Sequence, residues 1–149
     1  MLTEKQTLLI AKQALKKFKV NCEVKFIPYD KYLETAKKSP LISEILSEGF
    51  SFNELKIPAL VEHELKEHIF LSKKIINYLL KNKPLKVQKD FVKAVLYHEL
   101  FHIKNRRKVT KKNYLECQKS EDAVCNEFRK EYPEIYKLGY EIHKKATEI

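Results

Sequence analysis

At 149 residues, with 44% hydrophobic content, eight Tyr and eight Phe, the chain can bury one hydrophobic core and is not expected to be disordered. No apolar run approaches the ~20 residues of a membrane span and no secretory leader is visible; the three cysteines, at 22, 117 and 125, form no CxxC and cannot all pair. The expectation is a single domain over residues 1–149, cytoplasmic and off the membrane, whose net charge of +10 favours acidic partners.

Thr3-Glu4-Lys5-Gln6 has the form of a capping box, and Leu8, Ala11, Leu15 and Phe18 follow at helical spacing. A first helix is predicted to about Lys19. In the run Val20–Pro28, Cys22, Val24 and Phe26 alternate with polar residues, which predicts a strand ended by the proline. Asp30–Glu48 reads as irregular helix, broken around Pro40 and stopped by Gly49. Between Pro58 and Ser72 two readings compete. Val61, Leu65 and Ile69 fit a helix, whereas Ala59-Leu60-Val61 and His68-Ile69-Phe70-Leu71 fit two short strands around an acidic turn. The hairpin is preferred. Lys73–Asn82 predicts a short helix, and Pro84 marks entry to another that runs through Asn105 without Gly or Pro.

Within that long helix stands His98-Glu99-Leu100-Phe101-His102, an HExxH pentad. The spacing puts two imidazoles one turn apart on one face with a carboxylate beside them, the arrangement that holds Zn2+ and gives it a general base. Phe91, Val95, His98 and His102 recur at steps of four, three and four, so the metal-binding face continues an apolar stripe. The helix is therefore expected to bury one side and open the other into a cleft. An upstream near-miss, His63-Glu64-Leu65-Lys66-Glu67-His68, has one residue too many. A five-residue helical step rotates about 140° out of line, and on a strand it puts the rings on opposite faces, so this segment reads as a solvated hairpin tip.

Catalytic zinc takes three protein ligands and keeps a fourth position open. A third histidine six positions past His102 is ruled out, because Lys108 stands there and Asn105 occupies the glycine position such proteins need. A carboxylate from the next helix remains, in Ser120-Glu121-Asp122-Ala123-Val124-Cys125-Asn126-Glu127-Phe128. Asp122 is preferred, because Asn126, four residues on, shares its face and can orient a ligating imidazole. Glu121 is the alternative, and Ser120 could also make the acidic pair a plain helix N-terminus. Cys117 or Cys125 could serve as a thiolate ligand, but the carboxylate fits the helix phase better.

With these residues the chain resembles HExxH zincin metallopeptidases of the gluzincin type, in particular the ImmA/IrrE-like peptidases and the minigluzincins. In the ImmA/IrrE-like group the second helix follows the pattern Glu, two residues, Ala-Asn, one residue, Phe. Asp122, Cys125, Asn126 and Phe128 match those positions, with Asp for Glu, Cys for Ala, Arg129 for the small residue after Phe, and Phe101 for the Gly common in the pentad. The resemblance implies a compact α+β fold with a strand along the cleft, which supports the hairpin. One edge of His68–Leu71 is then expected to pair with an extended substrate.

The expected activity is zinc-dependent peptide hydrolysis, with His98, His102 and Asp122 on the metal and Glu99 moving the proton. Tyr132, Tyr136 and His143 are candidate oxyanion donors; the tyrosine stripe 132, 136, 140, in a last helix entered at Pro133, also fits plain packing. A competing expectation is regulatory. The family resemblance implies an association with transcriptional repressors, and the basic run Lys104, Arg106, Arg107, Lys108, Lys111 and Lys112 would then hold an acidic or nucleic-acid-associated partner. The same run also reads as a solvated loop.

Overall fold

The computed structural model describes residues 1–49, 51, 55–62, 68–105 and 114–147, and for 40, 41, 62 and 114–120 the backbone alone. Among the described residues the fold is α+β: seven helices around a small mixed sheet. The elements run α1 (Glu4–Phe18), β1 (Glu23–Phe26), α2 (Tyr29–Lys37), α3 (Pro40–Ser47), β2 (Ala59–Glu62), β3 (His68–Leu71), α4 (Lys73–Leu80), α5 (Leu85–Asn105), α6 (Tyr114–Glu131) and α7 (Pro133–Thr147).

Local chemistry explains most of these boundaries. The Thr3 side chain accepts from the Gln6 amide while the Gln6 side chain accepts from the Thr3 amide, closing the capping box that starts α1. The helix stops at Lys19, in the left-handed region at φ 55°. Pro28 ends the β1 segment, and the irregular helix expected over 30–48 resolves into α2 and α3. Ser39 caps the start of α3 at Pro40, and Gly49 follows it at φ 101°.

The hairpin is observed. β2 pairs antiparallel to β3, with Ala59 opposite Leu71 and Val61 opposite Ile69. β1 pairs parallel to the other side of β3, with Val24 opposite Ile69, giving the order β1-β3-β2. Residues opposite one another share a face, so Val24, Phe26, Val61, Ile69 and Leu71 present one apolar side to the helices. The expectation that His68–Leu71 offers a substrate edge is overturned, because β3 is the central strand and both its edges are paired. The segment 63–67, expected as the hairpin tip, lies outside the described residues. His68 itself sits on β3 with its Nε2 3.4 Å from a Glu23 carboxylate oxygen.

Helix α5 is the centre of the molecule. It packs against α1, α6, α7 and β2, and Phe91, Val92, Leu96, Tyr97, Leu100 and Phe101 are all buried. Apolar residues therefore surround it instead of forming the single buried side expected from the stripe. Its entry is tied down by the buried Gln88, whose Oε1 accepts from the Leu2 amide at 2.8 Å and whose Nε2 donates to the Lys83 carbonyl at 2.8 Å. Beside α5, α7 comes close enough that a Cβ built on Gly139 would lie 2.8 Å from Ala94 Cβ. Glycine there permits the contact.

Candidate metal centre

An HExxH helix offers two nitrogen donors but needs a third group from elsewhere, so the placement of α6 decides the site. Phe18 of α1, Tyr97 and Phe101 of α5, and Phe128 and Tyr132 at the end of α6 form one aromatic cluster, with centroid separations such as 5.2 Å for Phe18–Phe101 and 5.5 Å for Phe101–Phe128. That cluster holds α6 against α5. Phe128 also meets the His98 ring edge-on at 6.3 Å, so the same side chain backs the site.

Glu121 is the carboxylate that the fold brings to both imidazoles. Its Oε1 is 2.8 Å from His98 Nε2 and its Oε2 is 2.7 Å from His102 Nε2, while the two Nε2 atoms are 3.0 Å apart. The expected ligand, Asp122, is exposed instead, and so is Asn126, whose Oδ1 accepts from Arg129 at 2.8 Å rather than from a histidine. The reason is helix phase. Helix α6 starts at Tyr114, not Ser120, so Glu121 lies two turns inside it and shares the inward stripe of Val124 and Phe128, both buried. Asp122 is one step, about 100°, further round and joins Asn126, Arg129 and Lys130 on the solvent side. That phase was readable from Val124 and Phe128, the apolar positions of this stretch.

Burial by itself pushes the Glu121 carboxyl up, but hydrogen bonds from His102 and His98 outweigh it and hold the group well below the usual carboxylate range. The site thus presents an anionic carboxylate to two imidazoles. Zinc–ligand bonds of about 2.0–2.2 Å would set tetrahedral donors about 3.3–3.6 Å apart. The observed spacings of 2.7–3.0 Å are shorter and lie at hydrogen-bond separation, so the groups would part by roughly 0.3–0.9 Å to take the ion. Two imidazoles and one carboxylate facing one another make a donor set that suits a divalent metal ion.

Around this centre lies a cleft of about 760 Å³. His98, Glu99, His102 and Glu121 line it, together with Pro58–Val61 along β2, Phe91 and Val95 of α5, Ile42 and Ile45 of α3, and Tyr136, Tyr140 and His143 of α7. The strand bordering the cleft is thus β2, an outer strand, which corrects the assignment to His68–Leu71. Nothing in the sequence pointed to Ile42 and Ile45 as cleft residues, because α3 reaches the site only through the fold.

The three oxyanion candidates separate. Tyr132 lies in the aromatic cluster, 4.9 Å from Tyr97 and beneath the Lys17 ammonium, and is not part of the cleft lining. His143 lines the cleft, but its Nε2 is 2.8 Å from the Leu55 carbonyl, which fixes it as a tie between α7 and the segment before β2. Tyr136 also lines the cleft. Burial, then Cys125, pushes its hydroxyl pKa up. Cys125 follows Glu121 by one turn, with Sγ 3.6 Å from Glu121 Oε1. Burial, and then the Glu121 charge, pushes its thiol up to about 12. Beneath Glu99, the buried Tyr32 donates to the Ile57 carbonyl at 2.6 Å, anchoring the approach to β2; burial and then Glu99 push its pKa up.

Of the basic run, Lys104 is described, with Nζ 3.7 Å from Glu127. Arg106, Arg107, Lys108, Lys111 and Lys112 lie outside the described residues. None of the described helices is long and apolar enough to cross a membrane. Comparison with known proteins returned no matching family model, no matching curated protein and no matching solved structure.

Proposed function

We propose that this protein is a zinc-dependent peptidase of zincin type. The observation that carries the reading is the Glu121 carboxylate, which meets both pentad imidazoles at 2.7–2.8 Å in a cleft that Glu99 also lines. His98, His102 and Glu121 hold the metal. Bound zinc supplies a Lewis acid that polarises a peptide carbonyl and makes water a nucleophile near neutral pH.

The rest of the chemistry belongs to the chain. Glu99 follows His98 on α5, lines the same cleft, and takes a proton from the attacking water before delivering it to the leaving amine. The β2 edge lies alongside and can align an extended backbone by main-chain hydrogen bonds. Tyr136 is the remaining candidate to donate to the developing oxyanion. The apolar walls favour desolvation of the reacting groups.

The test is cleavage of a peptide library by zinc-loaded wild type and by Glu99→Ala, with and without chelator. Chelator-sensitive cleavage by wild type and none by Glu99→Ala, at equal zinc content, supports the proposal. Zinc-loaded wild type that cleaves no member, or a Glu99→Ala variant that cleaves normally, contradicts it.

A further inference from the structure

Two imidazoles and one carboxylate leave one tetrahedral position open, and a further donor that the hydrolytic reading does not use stands beside the carboxylate. Cys125 lies one turn beyond Glu121 on α6, and its Sγ is 3.6 Å from Glu121 Oε1. The ligand atoms of His98, Glu121 and Cys125 all fall within 4.8 Å of one another. For bonds of about 2.3 Å to sulfur and 2.0–2.2 Å to oxygen, tetrahedral geometry separates those two donors by about 3.6 Å. The pair already stands at ligand spacing. Thiolate is also the soft donor that zinc accepts readily.

We propose that Cys125 Sγ is a fourth zinc ligand, closing a His98–His102–Glu121–Cys125 site in the resting protein; this rests on the zinc reading above. When the ligand forms, the S–H bond breaks, a sulfur–metal bond replaces one to water, and the proton passes to solvent with no change of oxidation state. Sγ and the nucleophilic water then compete for one position. With Sγ bound, no position is left for the water, so the closed form is latent.

The probe is Co(II), titrated into metal-free full-length protein and followed by absorbance, because a thiolate ligand adds an intense near-ultraviolet charge-transfer band to the visible bands of a tetrahedral site. Wild type, Cys22→Ser and Cys117→Ser are expected to show that band. Cys125→Ala is expected to bind Co(II) with the visible bands alone, and to hold zinc about 10- to 100-fold less tightly. Visible bands without the charge-transfer band in wild type, or a band that survives Cys125→Ala, overturns the fourth ligand and leaves the other three standing. Wild type that takes up neither Co(II) nor zinc overturns the metal centre and this proposal together.

Discussion

Glu121 Oε2 lies 2.7 Å from His102 Nε2, a contact that joins the second histidine of the pentad on α5 to the middle of α6 across nineteen positions of sequence. Its partner contact, from Oε1 to His98, spreads one carboxylate over both imidazoles. Zinc retention is therefore expected to collapse in Glu121→Ala, by more than about 100-fold in affinity, and to be unaffected by Asp122→Ala. Competition with a fluorescent chelator measures both. Equal loss in the two variants, or the reverse order, contradicts the assignment.

The same ligand set links metal to stability. At zinc concentrations about 100 times the dissociation constant, binding to the native state adds about 2.7 kcal/mol, equivalent to a Tm rise of roughly 5–10 °C for a chain of this size. Differential scanning calorimetry is expected to show that rise in wild type and its absence in Glu121→Ala. A zinc-induced shift that persists in the variant places the ion elsewhere.

Gly139 faces Ala94 across the α5–α7 contact, where an added Cβ would come within 2.8 Å of Ala94 Cβ, both groups belonging to packed helices. Gly139→Ala is expected to cost about 1–3 kcal/mol despite its better helix propensity. Chemical denaturation measures it, and Ala94→Gly in the same chain is expected to recover part of the loss. A stabilised Gly139→Ala would show that the helices do not approach this closely.

Tyr32 is fully buried and donates to the Ile57 carbonyl at 2.6 Å, just ahead of the cleft strand. Tyr32→Phe keeps the ring and orphans that carbonyl, for an expected loss of about 1–2 kcal/mol. Because the proposed metal ligands stand on α5 and α6, metal affinity is expected to stay unchanged. A variant of wild-type stability would remove the anchoring role.

Local signals carried well into this structure. The Thr3–Gln6 box, Pro28, Pro84 and Pro133 each mark a boundary, the alternation at Val24 and Phe26 marked β1, and the runs Ala59–Val61 and His68–Leu71 marked the hairpin strands. The pentad singled out His98, Glu99 and His102, which the fold brings to one cleft. What local pattern left open was settled by packing. The phase of α6 depends on which face Phe128 and Val124 turn toward α5, and a rule built on Asn126 as an orienting residue pointed one step off. Capping logic at Ser120 failed for a related reason, since the helix begins at Tyr114. Which strand is central could not be read from two short strands, because β1 joins β3 from more than forty residues upstream. The cleft walls from α3 and α7 likewise follow only from tertiary contacts.

Anomalous diffraction at the zinc absorption edge, from crystals of zinc-loaded protein, tests the central claim most directly. The account predicts a single strong peak within bonding distance of His98 Nε2, His102 Nε2 and the Glu121 carboxylate. A fully loaded crystal with its peak elsewhere, or with Asp122 in place of Glu121 at the ion, would contradict it.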